Sequence, residues 1–192
     1  MINIVKYFYD IAKYELLSKY CCFPDHYGCG LCGFKGRLYH HGYYERNAIF
    51  SDKTYRINIP RFKCPSCKKY TCSNLPSFLA PYRQYSIKFI LSCLEYLYIN
   101  HYSYTKIVDI FKNLNQSTYF NKANIYYFKQ RMLQVLSKIN SFIANFHEYH
   151  FSMDNYTISS ILQKIIQFNQ CNDDFSYTYF TFMTTCFFEK CK

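Results

Sequence analysis

The chain has 192 residues, half of them hydrophobic and 22% aromatic, with 11 cysteines and no tryptophan. That length holds one domain or two small ones and excludes a large enzyme, and no apolar run approaches the roughly 18 residues that a membrane-spanning helix needs. With 23 Lys and Arg against 12 Asp and Glu, the formal charge of +11 points to a polyanionic partner.

The basic surplus is local. Residues 35–69 carry nine basic and two acidic side chains and residues 70–147 eight and two, whereas residues 148–192 carry three and five. The cysteine number is odd, and the start Met-Ile-Asn-Ile-Val-Lys lacks the charged-then-apolar order of a signal peptide. Both argue against a disulfide framework, and the expectation is a soluble, cytoplasmic protein in a reducing compartment.

In chain order, Ile4, Phe8, Ile11, Ala12 and Leu16 predict an N-terminal helix within residues 1–20. Residues 21–74 hold two Cys-x-x-Cys pairs, Cys29/Cys32 and Cys64/Cys67. A two-residue spacing lets one tight turn aim two thiolates at one ion, and two such turns close a tetrahedral site. Thirty-one residues, 33–63, separate the pairs, against roughly 15–20 in the commonest pattern. An antiparallel ribbon absorbs the excess, because only its ends must meet at the metal. Cys21, Cys22 and His26 are alternative ligands, while Cys72, Cys93, Cys171, Cys186 and Cys191 have no ligand spacing and read as buried or free thiols.

Residues 37–50 and 53–63 read as the ribbon's long hairpin, turning at Ser51-Asp52-Lys53. Arg37, Arg46, Lys53, Arg56, Arg61 and Lys63 are its candidate phosphate contacts; the alternative for each is a solvated edge kept soluble by charge. His40 and His41 are adjacent on a strand, so they face opposite sides and read as surface or stacking residues. Residues 75–85, with Pro76 and Pro81, read as a fixed linker without regular structure.

A helical region follows over residues 86–147. It comprises a helix at about 86–99, a short helix capped by Ser103 that stops near Asn115, and a long helix from about 122 to 147 capped by Asn121. That layout fits a helix-turn-helix unit. In it, Ile125, Phe128 and Met132 face inward. Asn124 and Gln130 carry the amides that read adenine, Tyr126 and Tyr127 lie near the groove, and Lys122, Lys129 and Arg131 suit phosphates. The series Ile125, Phe128, Met132, Val135, Ile139, Phe142 and Phe146 keeps a 3,4 spacing, which offers a homodimer seam over residues 125–146 or a stripe packed within the chain. In the tail, 148–192, Ile158, Ile161, Leu162, Ile165, Ile166 and Phe168 suggest a helix, and Phe175 to Phe188 an aromatic strand or hairpin. The fold class is therefore α+β: an N-terminal zinc ribbon of β-hairpins, then a mainly α-helical helix-turn-helix region.

The run Cys29 to Gly33, Gly36-Arg37-Leu38, His41 to Arg46, Ile59 to Cys67 and Leu75 to Ser86 resembles an uncharacterised bacterial zinc-ribbon family. That family is similar to the zinc-ribbon plus helix-turn-helix DNA-binding head of insertion-sequence transposases. The resemblance covers roughly residues 27–135; it departs from the family's pattern after Cys67, where Lys68 stands in place of glycine, and in that residues 136–192 do not resemble the transposases' catalytic domain. It implies a structural Zn²⁺ and double-stranded DNA as partner.

The expected function is a zinc-stabilised DNA-binding protein, transposon-associated or regulatory, without catalytic activity of its own. Four thiolates leave a zinc ion no open position for water, and the acids after residue 85 are too scattered to form a metal-binding constellation. The alternatives are an RNA-binding or protein-interaction zinc-ribbon module, and a truncated transposase relic. Neither a membrane nor a small-molecule substrate is expected.

Overall fold

The computed structural model describes residues 2–5, 11–20, 24–115, 119–144 and 157–172. The order is strands first, then helices, in a mixed α and β architecture. A strand β1 (Ile2–Val5) precedes a short helix α1 (Ile11–Leu17) that ends in a 3-10 turn, Ser18–Tyr20. Strands β2 (Tyr39–Ile49), β3 (Thr54–Lys63) and β4 (Thr71–Pro76) follow. The sheet order is β1-β4-β3-β2, antiparallel except for β1, which lies parallel to β4.

β1 corrects the expected N-terminal helix. Ile2-Asn3-Ile4 alternates with the strand period, Ile2 pairs opposite Ser73, and Ile4 is buried; among the described residues of this segment, 11–17 form the α-helix, and Phe8 lies outside them. That helix has a specific task. β4 pairs with β3 only through Arg61–Lys63, and α1 lies along β3 beyond that point. The Glu15 carboxylate accepts the Arg56 backbone N–H at 3.1 Å, and the Tyr14 hydroxyl donates to the Asn58 carbonyl at 2.9 Å. Backbone groups that a longer β4 would have paired are thus satisfied by side chains.

The hairpin turns where expected, with the Phe50 N–H bonded to the Lys53 carbonyl at 2.9 Å. Its imperfect alternation has a cause. The register jumps from His40↔Phe62 to Tyr43↔Pro60, and Gly42 sits in the bulge with φ +90°, a conformation that costs glycine little.

Residues 75–85 correct the expected linker. The segment begins as the end of β4, and Leu75, Leu79 and Ala80 are fully buried. The Ile49 N–H bonds to the Gln84 carbonyl (2.7 Å), the Ser86 N–H to the Ile49 carbonyl (2.9 Å) and the Ile87 N–H to the Phe78 carbonyl (2.8 Å). The prolines mark turns inside the core rather than a spacer.

Helix α2 (Ile87–Tyr98) is capped by Ser86, whose hydroxyl accepts the Phe89 N–H at 3.1 Å. Helix α3 (Tyr104–Leu114) is capped by Ser103 in the same way, at 3.3 Å. Helix α4 (Lys122–Ala144) starts from a reciprocal cap: Asn121 Oδ1 accepts the Ala123 and Asn124 N–H groups (3.0 and 3.3 Å), and Asn124 Oδ1 accepts the Asn121 N–H (3.0 Å). Helix α5 (Ile158–Asn172) is the tail helix expected from its isoleucines, and it packs on α2 and α4. The Phe175 to Phe188 expectation, Cys21 and Cys22 lie outside the described residues. Among the described residues no helix is long and apolar enough to cross a membrane.

The helices share one large core, centred on Phe89, Phe111, Phe120 and Phe128, into which Ile4 and Ile49 of the sheet also project. Ile125, Phe128, Met132, Val135, Ile139 and Phe142 are all buried there. From Ile125 to Phe142 the 3,4 stripe therefore packs within the chain, which corrects the homodimer seam expected over residues 125–146 for its described part, Phe146 lying outside the described residues: burying such side chains contributes about 1.5–3 kcal/mol each, and that contribution is already made within the chain. A second cluster, Tyr14, Ala48, Tyr55, Ile57, Ile59, Leu75 and Leu79, lies under α1. A third, small one surrounds the cysteine pairs. Asn115, buried at the end of α3, donates through Nδ2 to the Phe50 carbonyl and to Thr54 Oγ1, both at 3.1 Å, and so ties the helices to the hairpin tip.

Candidate metal centre and basic surface

The two cysteine pairs converge at the end of the hairpin away from its turn. Cys29 and Cys32 lie on the loop before β2, Cys64 and Cys67 on the loop after β3. Cys29 Sγ is 3.8 Å from Cys67 Sγ, Cys32 Sγ is 3.8 Å from Cys64 Sγ, and all four sulfurs lie within 4.8 Å of one another. Sulfurs about 2.3 Å from one ion at tetrahedral angles stand about 3.8 Å apart, so these residues fit a four-thiolate metal. His26, the alternative ligand, instead packs its ring against Phe62 at 6.2 Å. His40 and His41 are exposed surface residues, His40 tilted against the Tyr43 ring at 4.5 Å and His41 edge-on to the Tyr39 ring at 6.0 Å.

The two loops are built alike. The Gly33 N–H bonds to the Cys29 carbonyl and the Lys68 N–H to the Cys64 carbonyl, each at 3.1 Å. Gly33 and Lys68 both take positive φ, +73° and +56°. Lys68 thus occupies the left-handed position where glycine was missing from the sequence pattern. A side chain there costs roughly 1 kcal/mol or slightly more, while glycine adds entropy to the unfolded chain. Lys68→Gly is expected to stabilise the protein by a few tenths to about 1 kcal/mol, read as a rise in urea midpoint with unchanged slope.

Backbone amides and burial set the thiols apart. The N–H groups of Tyr70 and then Lys69 hold Cys67 down to about 6, the Phe34 N–H lowers Cys32, and burial pushes Cys29 up to about 11. Ligation needs thiolates, so loading the site releases protons and strengthens as pH rises. Cys72 and Cys93 are buried thiols pushed up by that burial to about 11 and about 12, consistent with inert core residues.

The candidate phosphate contacts divide into two groups. Arg37 pairs with Asp25 at 2.7 Å, Lys53 with Glu15 at 3.0 Å, and Arg56 with Glu45. Lys63 is half-buried at the end of β3. Arg46 and Arg61 make no ion pair among the described residues. Arg46 donates to the Ala80 carbonyl, and Arg61 reaches the Tyr43 carbonyl at 3.5 Å with its guanidinium 5.8 Å from the Tyr44 ring. On α4, Lys122 and Tyr126 are exposed, and Asn124, Tyr127, Lys129 and Gln130 half-buried. Arg131 is a correction: it is buried and bonds to Gln134 of its own helix, so it does not present its guanidinium to a phosphate. Part of Asn124 is likewise spent on the cap.

One cation escapes the sequence reading. Arg83, in the segment expected to be a spacer, lies 3.9 Å over the Tyr127 ring of α4. The available signal was a polar Tyr82-Arg83-Gln84 tip between buried runs. Seven residues, 115–121, separate the end of α3 from the start of α4, more than the roughly three or four of a tight helix-turn-helix.

Fold and site define a β-sheet with four cysteines positioned to hold a metal ion, stitched to a helical bundle. The family described as "Domain of unknown function (DUF6431)" matches residues 29–107, from the first metal-site cysteine into α3. No curated protein and no solved structure matches the chain.

Proposed function

We propose that the chain is a zinc-stabilised DNA-binding protein, transposon-associated or regulatory, that works in the cytoplasm without catalytic activity of its own. Zinc suits four thiolates at tetrahedral spacing, and a closed set of this kind serves structure rather than Lewis-acid chemistry. The observation that carries the reading is the stacking of Arg83 on Tyr127. It joins the sheet-side arginines to the first turns of α4, whose described residues also include the exposed Lys122 and Tyr126 and the half-buried Lys129. In this reading α4 enters the major groove and the arginines hold phosphates.

The test is competition binding of the metal-loaded protein to duplex DNA, single-stranded DNA and RNA at two salt concentrations. Sequence-selective duplex binding that weakens steeply with salt is expected, with a log–log slope of about −0.9 per phosphate contacted. Unchanged duplex affinity in a verified metal-free protein would sink the reading. A second reading rests on the exposed rings of Tyr82, Tyr119 and Tyr126, which suit stacking of unpaired bases. Preference for RNA or single strands in the same competition favours it.

A further inference from the structure

Three arginines that make no ion pair among the described residues converge on one place. Arg46 of β2, Arg61 of β3 and Arg83 of the segment before α2 line one open cleft of about 460 Å³, together with Tyr44, Tyr82 and Gln84. Register explains the sheet half. Arg46 lies opposite Ile57 and Tyr44 opposite Ile59, and Arg61 is two residues further along β3, so all three project from the same face. The third arginine is delivered by the turn after β4, where Tyr82 stands exposed with φ +59°. Non-glycine residues in that region are uncommon and cluster at ligand sites.

Three guanidinium groups around one cleft repel each other, and the sheet does not neutralise them. The nearest acid on β2, Glu45, is engaged by Arg56, and Arg46, Arg61 and Arg83 make no ion pair among the described residues. Arg46 is held in place by the Ala80 carbonyl and partly desolvated. Arg61 and Arg83 lie over the rings of Tyr44 and Tyr127, contacts that fix the planes of the guanidinium forks without occupying all their N–H donors. Planar forks of this kind recognise phosphate through paired hydrogen bonds. The cleft exceeds what one tetrahedral ion fills, leaving room for the groups on either side of a phosphate.

We propose that the cleft formed by Arg46, Arg61 and Arg83 is a receptor site for a phosphate group that carries substituents: a nucleic-acid backbone diester or a small phosphorylated ligand. As a backbone site it deepens the DNA-binding reading and rests on it; as a small-ligand site it stands alone.

The test titrates the metal-loaded full chain with pyrophosphate and, separately, with duplex DNA. It compares Arg61→Ala/Arg83→Ala, two exposed positions, with Lys106→Ala/Lys112→Ala, which removes the same charge from α3. The arginine variant is expected to lose pyrophosphate binding at least tenfold while the lysine variant stays within about twofold. On duplex DNA the arginine variant is expected to lose at least tenfold in affinity, with a salt slope shallower by about two. Loss of pyrophosphate binding with no duplex binding in the parent keeps the cleft and overturns the DNA reading. Duplex binding that the arginine variant leaves unchanged, with pyrophosphate binding absent or equally unchanged, overturns the cleft and leaves the DNA reading intact. Equal effects of the two double variants on pyrophosphate, or a parent that binds neither ligand, also overturn it.

Discussion

Replacing Cys64 by serine is expected to empty the metal centre and open one end of the sheet while leaving the helices folded. Cys64 is fully buried, and the cluster around it holds only Cys29, Leu38, Phe62 and Cys72 with partial cover from Phe34, Cys67 and Tyr70. So small a core cannot offset the chain entropy of ordering two loops. A metal held by the four thiolates would do so, since structural zinc contributes about 10–16 kcal/mol in finger peptides. A loss of more than about 3 kcal/mol, roughly 6–12 °C in Tm for a chain of this size, is expected. The readouts are metal content falling from about one ion per chain to near zero, and fast hydrogen exchange at the Cys29, Gly33, Cys64 and Lys68 amides, all of which are bonded within these loops. Helical ellipticity should persist, because the helical core lies elsewhere. Retained protection of those four amides in the metal-free variant would contradict a structural metal.

Phe111→Ala is expected to do the reverse. The Phe111 ring stacks on Phe89 at 4.2 Å and meets Phe120 at 5.3 Å and Tyr96 at 5.8 Å, with the three Phe side chains fully buried. Truncation removes contacts to α2 and to the segment before α4 at once and leaves a cavity that rigid rings refill poorly, a cost of about 3–5 kcal/mol. Against a total stability of about 5–15 kcal/mol, the helical region should melt at a much lower urea concentration, with loss of near-ultraviolet ellipticity. The metal centre should still load. A shift below about 1 kcal/mol would mean that the cluster is less consolidated than its geometry implies.

What the sequence made legible were features with short range. The cysteine turns, the hairpin turn, the caps Ser103 and Asn121 and the isoleucine face of α5 each depend on residues within a few positions of one another. What escaped depends on distant partners. Ile2-Asn3-Ile4 becomes a strand because residues 73–76 lie beside it, and nothing in four residues announces that. The two prolines of 75–85 carry an ordinary loop signal, yet Leu75, Leu79 and Ala80 are core, so the segment presents Arg83 instead of spacing two domains. Arg131 was placed outward by its charge, but the three-sided packing of α4 leaves that position buried. The role of Tyr14 and Glu15 on the β3 backbone has no periodic signature at all.

The bonds from Ile49 to Gln84 and Ser86, and from Asn115 to the hairpin tip, remove any hinge between the sheet and the bundle. In the proposed reading, arginines on the sheet and residues on α4 would face a phosphate-bearing ligand as one preorganised body, with no connecting segment to immobilise when the second contact forms. The effective concentration of one contact for the other is set by rigid geometry. A ligand of matching shape gains both together, and one of mismatched shape cannot be reached by stretching.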